Sequence, residues 1–112
     1  ATMGLWDVSE RVGALYFRDG ADIHANRGET SILLSLRPEM VRMERAFDVE
    51  DVTPGTHFSY AMPATTPTGV VGRPTEASAA DGAAMVETIV EDLARWLEDA
   101  LAEDWPAVPP GP

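Results

Sequence analysis

From Ser78 to about Ala102 the apolar residues Met85, Val86, Ile89, Val90, Leu93, Leu97 and Leu101 recur at intervals of three and four. That spacing predicts one long amphipathic helix, because 3.6 residues per turn brings such positions onto one face. Thr75 or Ser78 is placed to cap its start, and acidic residues suit its first turns, where the helix dipole is positive. Glu87, Glu91, Glu98 and Asp99 fall on the polar face, so much of the chain's negative charge is a solvated surface. An apolar stripe of this length has to be covered by a sheet or by other helices.

The rest of the chain offers little to cover it. ATMGLWDV, residues 1–8, reads as the end of a strand, with Ser9 as the cap of a short helix through Phe17. Arg18-Asp19-Gly20 breaks that helix. Thr30 or Glu29 opens a second one in SILLSLRPEMV, where Ile32, Leu33, Leu36 and Met40 keep helical spacing until Pro38 forces a break or a new short helix. Residues 48–68 are irregular, punctuated by Pro54, Gly55, Pro63 and Pro67, with a short strand possible from His57 to Met62. The end, PAVPPGP, cannot continue a helix and is expected to be disordered or packed as an extended arm. Residues 1–105 thus form the folded part and 106–112 a Pro-rich tail. In 112 residues there is room for one modest core. One or two strands, two short helices and a long one do not close it, so the chain either oligomerises or is one piece of a larger fold.

Composition narrows the function classes. The net charge is −11, from 19 acidic residues against 8 basic ones, all arginine. Such a chain should not bind nucleic acid phosphates non-specifically. The lack of lysine fits either a GC-rich genome or a high-salt cytoplasm. With no cysteine, disulfides and thiolate metal sites are excluded. No apolar run approaches the roughly 20 residues needed to span a bilayer. The first residues lack the basic flank and apolar core of a signal peptide. These features predict a soluble, cytoplasmic protein.

The chemistry is concentrated in HANRGETS, residues 24–31. His24 and Glu29 are five apart, about 140° from one another on a helix. They converge only if the intervening residues curl as a loop, and Asn26 and Gly28 permit such turns. A glutamate can ligate a divalent metal through oxygen, and a histidine can ligate one or move protons near neutral pH. The plainer reading makes Glu29 an N-terminal capping residue of the following helix. His57 has no acidic or histidine partner nearby in sequence and reads as structural. Trp6, beside Asp7, is more often a core anchor than a ligand contact. Two histidines in one chain do not build a metal centre alone.

Three stretches carry a family resemblance. DIHANRGETSILLSLRPEMVRMERAFD, residues 22–48, resembles the creatininase-type amidohydrolase segment that runs His-Ala-Gly, two variable residues, Glu-Thr-Ser, an apolar helix and Pro-(Asp/Glu)-Leu-Val. TGVVGRPTEASAADGAAMVETIVEDLA, residues 68–94, resembles that family's Gly-Val-x-Gly-(Asp)-Pro-Thr run and final helix. Trp6-Asp7 resembles the Trp-Asp that ends a strand before the histidine loop. The blocks occur in order over about residues 3–100.

The resemblance implies a three-layer α/β/α fold, of which this chain is the C-terminal portion, and hydrolysis of an amide-type C–N bond by metal-activated water. The metal would be Zn, Mn or Fe. Most of its ligands would come from outside this chain, because the family's N-terminal motifs, Glu-Gln-His-Gly and Asn-Gly-His-Gly-Gly-Asn, do not occur here. A second chain carrying that part, and a homo-oligomer of the pair, are the partners expected. By position, His24 matches the motif histidine, a general acid or base at the scissile nitrogen. Glu29 matches the motif glutamate, a metal ligand or the residue that holds the attacking water. Thr30 and Ser31 would support the loop and cap its helix. Trp6 and Arg27 are the substrate-binding candidates: Arg27 could meet a substrate carboxylate, or else form a surface salt bridge. Asn26 departs from the usual glycine, and Gly20-Ala21-Asp22 replaces a tryptophan that closes over creatinine. That change argues against creatinine itself and leaves a cyclic amide, a formamide or a peptide-like amide as the substrate. The competing reading is a non-catalytic acidic interaction module, a remnant of the family.

Overall fold

The long helix forms as its periodicity requires. A computed structural model describes residues 3–18 and 24–104. Four α-helices run in chain order: α1 (Glu10–Tyr16), α2 (Arg27–Leu36), α3 (Met62–Thr65) and α4 (Ala79–Ala102). Ser78 caps α4, its hydroxyl accepting from the Asp81 amide at 3.1 Å while donating to the Asp81 carboxylate at 2.9 Å. Both groups serve an otherwise unsatisfied helix start, and the acid lies where the dipole favours it. Ser9 caps α1 in the same way, accepting from Val12 N at 3.1 Å. Pro38 ends α2 and starts a single 3-10 turn, Pro38–Met40.

α2 packs along the first half of α4, and α1 closes one side of the pair. Two glycines let the backbones meet. A Cβ on Gly28 would lie 2.5 Å from the Tyr16 carbonyl oxygen, and one on Gly82 would collide with the Ser31 carbonyl. The buried apolar side chains among the described residues are Val12, Tyr16, Val71 and Met85. Further along α4 the stripe emerges uncovered: Val90 and Leu97 are largely exposed, and Leu101 is 88% exposed.

Several local expectations change. Leu5–Asp7 is a 3-10 turn and not the end of a strand. A strand needs a neighbouring edge to satisfy its amides. None lies beside it among the described residues, and Asp7 N bonds back to Gly4 O at 2.9 Å. The segment from His57 also finds no ladder, and Met62–Thr65 is helical. α2 begins at Arg27, ahead of Glu29 and Thr30, because Asn26 supplies the cap. In place of a sheet, the described residues hold two isolated antiparallel bridges, His24 with Val71 and Val49 with Gly72. The break at residues 19–20, the Gly20-Ala21-Asp22 stretch and the Pro-rich tail lie outside the described residues.

Candidate active site

The His24 loop is shaped by its first turn and by α2. Ala25 takes φ = 53°, a left-handed conformation costly for a residue with a Cβ. Two hydrogen bonds hold it there. The Glu29 carboxylate accepts from Ala25 N at 2.7 Å through Oε2, and Asn26 Oδ1 accepts from Glu29 N at 2.8 Å. This is a capping box displaced by one residue. The loop therefore curls at Ala25, whereas Asn26 is extended and Gly28 is already helical. Glu29 is committed through one oxygen, and its other oxygen has no bond among the described residues.

The second motif block comes to the first through backbone pairing. Val71 N donates to His24 O at 2.9 Å, and Gly72 and Val49 exchange bonds at 2.7 and 3.0 Å. Gly69, at φ = +80°, turns the chain so that its α-carbon faces the His24 ring; a Cβ there would sit 3.7 Å from Nε2. His24 is exposed. Its carbonyl fixes the loop, which leaves the imidazole available to a reactant.

Behind the loop lies a polar clamp that fixes α2 against α4. Arg27 is 4% exposed and pairs with Asp81, and Arg18 approaches the same carboxylate at 4.0 Å. Ser31, fully buried, accepts from Ser78 N at 3.1 Å. A cation at the first position of a helix opposes the dipole, and the Asp81 carboxylate offsets it. Asp81 is held below the usual carboxylate range, first by the Ser78 hydroxyl and then by Arg27 and Arg18. The salt bridge expected of Arg27 exists, but its guanidinium is buried and the pair joins two helices. Trp6 stands in an aromatic cluster, its ring centroid 5.5 Å from Tyr16 and 6.2 Å from Phe17. Among the described residues no three His, Asp or Glu side chains converge as a metal site.

A second network went unforeseen in the sequence. Asp92, buried on α4, accepts from Ser9 Oγ at 2.5 Å and from Arg11 at 2.9 Å, and Arg95 lies 3.4 Å away. The spacing held a sign of it, since Asp92 falls seven residues after Met85 on the inward face. Ser78-Ala-Ala-Asp81 likewise read as a capping pair. Gly82, inside a strong helical pattern, marked a close approach.

The family model described as creatinine amidohydrolase matches residues 1–97. This chain belongs to the creatininase family. It is 37% identical over 86 residues to a mycofactocin precursor peptide peptidase of Mycobacterium ulcerans, a match covering 69% of this chain and 34% of the relative. The mycofactocin precursor peptide peptidase of Mycobacterium tuberculosis is 40% identical over 87 residues, covering 70% of this chain and again 34% of the relative. The crystal structure of a candidate creatinine amidohydrolase from Bacteroides fragilis superposes with a TM-score of 0.73 at 28% identity, over 96% of this chain and 45% of that one. The fold is thus creatininase-like, and the chain spans about a third of the length of the curated relatives it matches. No helix among the described residues is long and apolar enough to cross a membrane.

Proposed function

We propose that this chain forms the C-terminal share of a hydrolase that cleaves an amide-type C–N bond. The observation that carries the reading is the bridge between His24 and Val71. It joins the two sequence blocks, through residues 47 positions apart, around an exposed imidazole. Relatives named as peptidases favour a peptide-like amide over creatinine.

In this reading His24 donates a proton to the departing nitrogen, the work of a general acid exposed beside the reacting group. Glu29 holds the loop through Oε2 and presents its other oxygen to the attacking water or to a metal. Arg27, buried and paired with Asp81, keeps α2 in place and so positions both residues; Trp6 is the side chain of this chain proposed for substrate contact. The family's divalent metal, Zn, Mn or Fe, would activate water; the described residues do not assemble its site, and most of its ligands would come from a second chain. That chain would also supply the sheet of a three-layer α/β/α fold and cover the open stripe of α4, and the pair would repeat as a homo-oligomer.

Native and denaturing mass spectrometry with metal analysis of the purified particle, followed by turnover on a panel of formamides and short peptides, tests the proposal. A second chain, divalent metal and turnover lost in His24→Ala would support it. A lone metal-free chain without turnover would overturn it and favour the interaction module, and full activity in His24→Ala would overturn the role given to His24.

A further inference from the structure

Of the eight arginines, six pair with carboxylates: Arg11 with Glu91 and Asp92, Arg18 and Arg27 with Asp81, Arg37 with Glu39, Arg73 with Glu76 and Arg95 with Asp92. Arg42 and Arg45 have no such partner among the described residues, although acidic residues outnumber basic ones more than two to one. Both line one cavity of about 320 Å³, walled by Met40, Met43 and Phe47. Ala25 and Thr30, which flank the segment from the His24 turn to Glu29, form its inner side.

The local backbone brings both residues to the same cavity. Met43–Arg45 is a 3-10 turn, closed by Arg45 N bonding to Arg42 O at 2.9 Å. Arg42, the residue just before the turn, and Arg45, its last residue, both line the cavity. Glu44, between them, departs about a third of a turn away and does not line the cavity. Two positive charges therefore face a wall of methionine and aromatic surface in a chain that is otherwise strongly negative.

We propose that this cavity is a substrate subsite for an apolar group, about one amino-acid residue in size, that carries a carboxylate. The volume lies at the small end of ligand pockets, which suits one side chain rather than an extended ligand. Methionines and an aromatic ring accept a varied apolar group, and planar guanidinium forks match a carboxylate. Bound there, the ligand would have its remaining end beside the His24 loop. This rests on the hydrolase reading for the meaning of "substrate", while the binding itself can be read without turnover.

The test is titration of the purified particle with N-acetylphenylalanine and with its neutral amide, followed by calorimetry or NMR, in the native protein and in an Arg42→Gln/Arg45→Gln variant. Both side chains are exposed, so the variant should fold normally. The acid is expected to bind about fivefold more tightly than the amide, a preference scaled to exposed charge pairs. The variant should lose that preference and keep its affinity for the amide. Equal binding of acid and amide, no binding of either at millimolar concentration, or a preference that survives in the variant would overturn the subsite. Selective binding of the acid by a protein that hydrolyses no amide would overturn the hydrolase reading alone. A hydrolase indifferent to the ligand's charge would overturn the subsite alone.

Discussion

Gly82 and Ser31 are in backbone contact: the α-carbon of one sits against the carbonyl of the other at the crossing of α4 and α2. The contact brings Ser31 Oγ to the amide of Ser78, the residue that caps α4. Since the atoms in the way are backbone, a methyl group at Gly82 cannot be accommodated by a change of rotamer. Gly82→Ala should cost about 3 kcal/mol, the upper end of overpacking penalties, even though alanine is the better helix former. Urea unfolding followed by circular dichroism would measure it, and a neutral or stabilised variant would mean that the helices do not cross here.

The Ser9–Asp92 hydrogen bond makes stability depend on acid. Asp92 is held below the ordinary carboxylate range, first by the Ser9 hydroxyl and then by Arg11 and Arg95, and Asp81 is held low by Ser78 and its arginines. A carboxyl whose folded pKa lies below its unfolded value, about 3.9 for aspartate, stabilises the fold above that value. The contribution fades as pH falls through the folded pKa. Unfolding free energy should therefore be flat from pH 7 to about 5 and decline below about 4. In Asp92→Asn the decline should be shallower. Equal slopes in the two proteins would remove Asp92 from the account.

Glu29 has two jobs that substitution can separate. Glutamine keeps an oxygen for Ala25 N, so Glu29→Gln should retain the loop with a stability change within about 0.5 kcal/mol. Glu29→Ala loses the bond and should cost about 1 kcal/mol, as lost caps do. If the free oxygen works in catalysis, both variants should lose turnover by 100-fold or more, an effect of the size expected for acid–base groups. An active Glu29→Gln enzyme would reduce Glu29 to a cap.

The exposed end of α4 is where the proposed second chain would dock. Leu97 and Leu101 are open to solvent here, so Leu97→Glu/Leu101→Glu should leave the isolated chain within about 0.5 kcal/mol of its stability. Binding to the partner should weaken by tenfold or more, the effect of truncating a buried anchor. Analytical ultracentrifugation of the co-expressed chains would read it, and undiminished association would place the interface elsewhere.

The histidine loop shows how far the sequence reaches. The five-residue spacing of His24 and Glu29 required a curl between them if the two were to meet. The curl itself sits at Ala25, a residue with no local preference for positive φ, and the bonds from Glu29 and Asn26 impose it there. Arg27 was legible as a salt-bridge former. Its partner, 54 positions away, was not, because a charge pattern along one chain carries no information about distant approach.

By itself the sequence determined α4, since a period of 3.6 over two dozen residues with a serine cap has one low-energy reading. It also determined the breaks at proline, and the family, through residue types in fixed order. Tertiary structure decided whatever depended on pairing between remote segments. Leu5–Asp7 became a turn because no strand edge lay beside it. The GVVG segment met His24 through main-chain bonds that any residue type can make. Gly82 and Ser31 touched because two helices needed to come closer than side chains allow. Local preference is worth tenths of a kcal/mol per residue, and a segment without a strong period takes whichever partner satisfies its backbone.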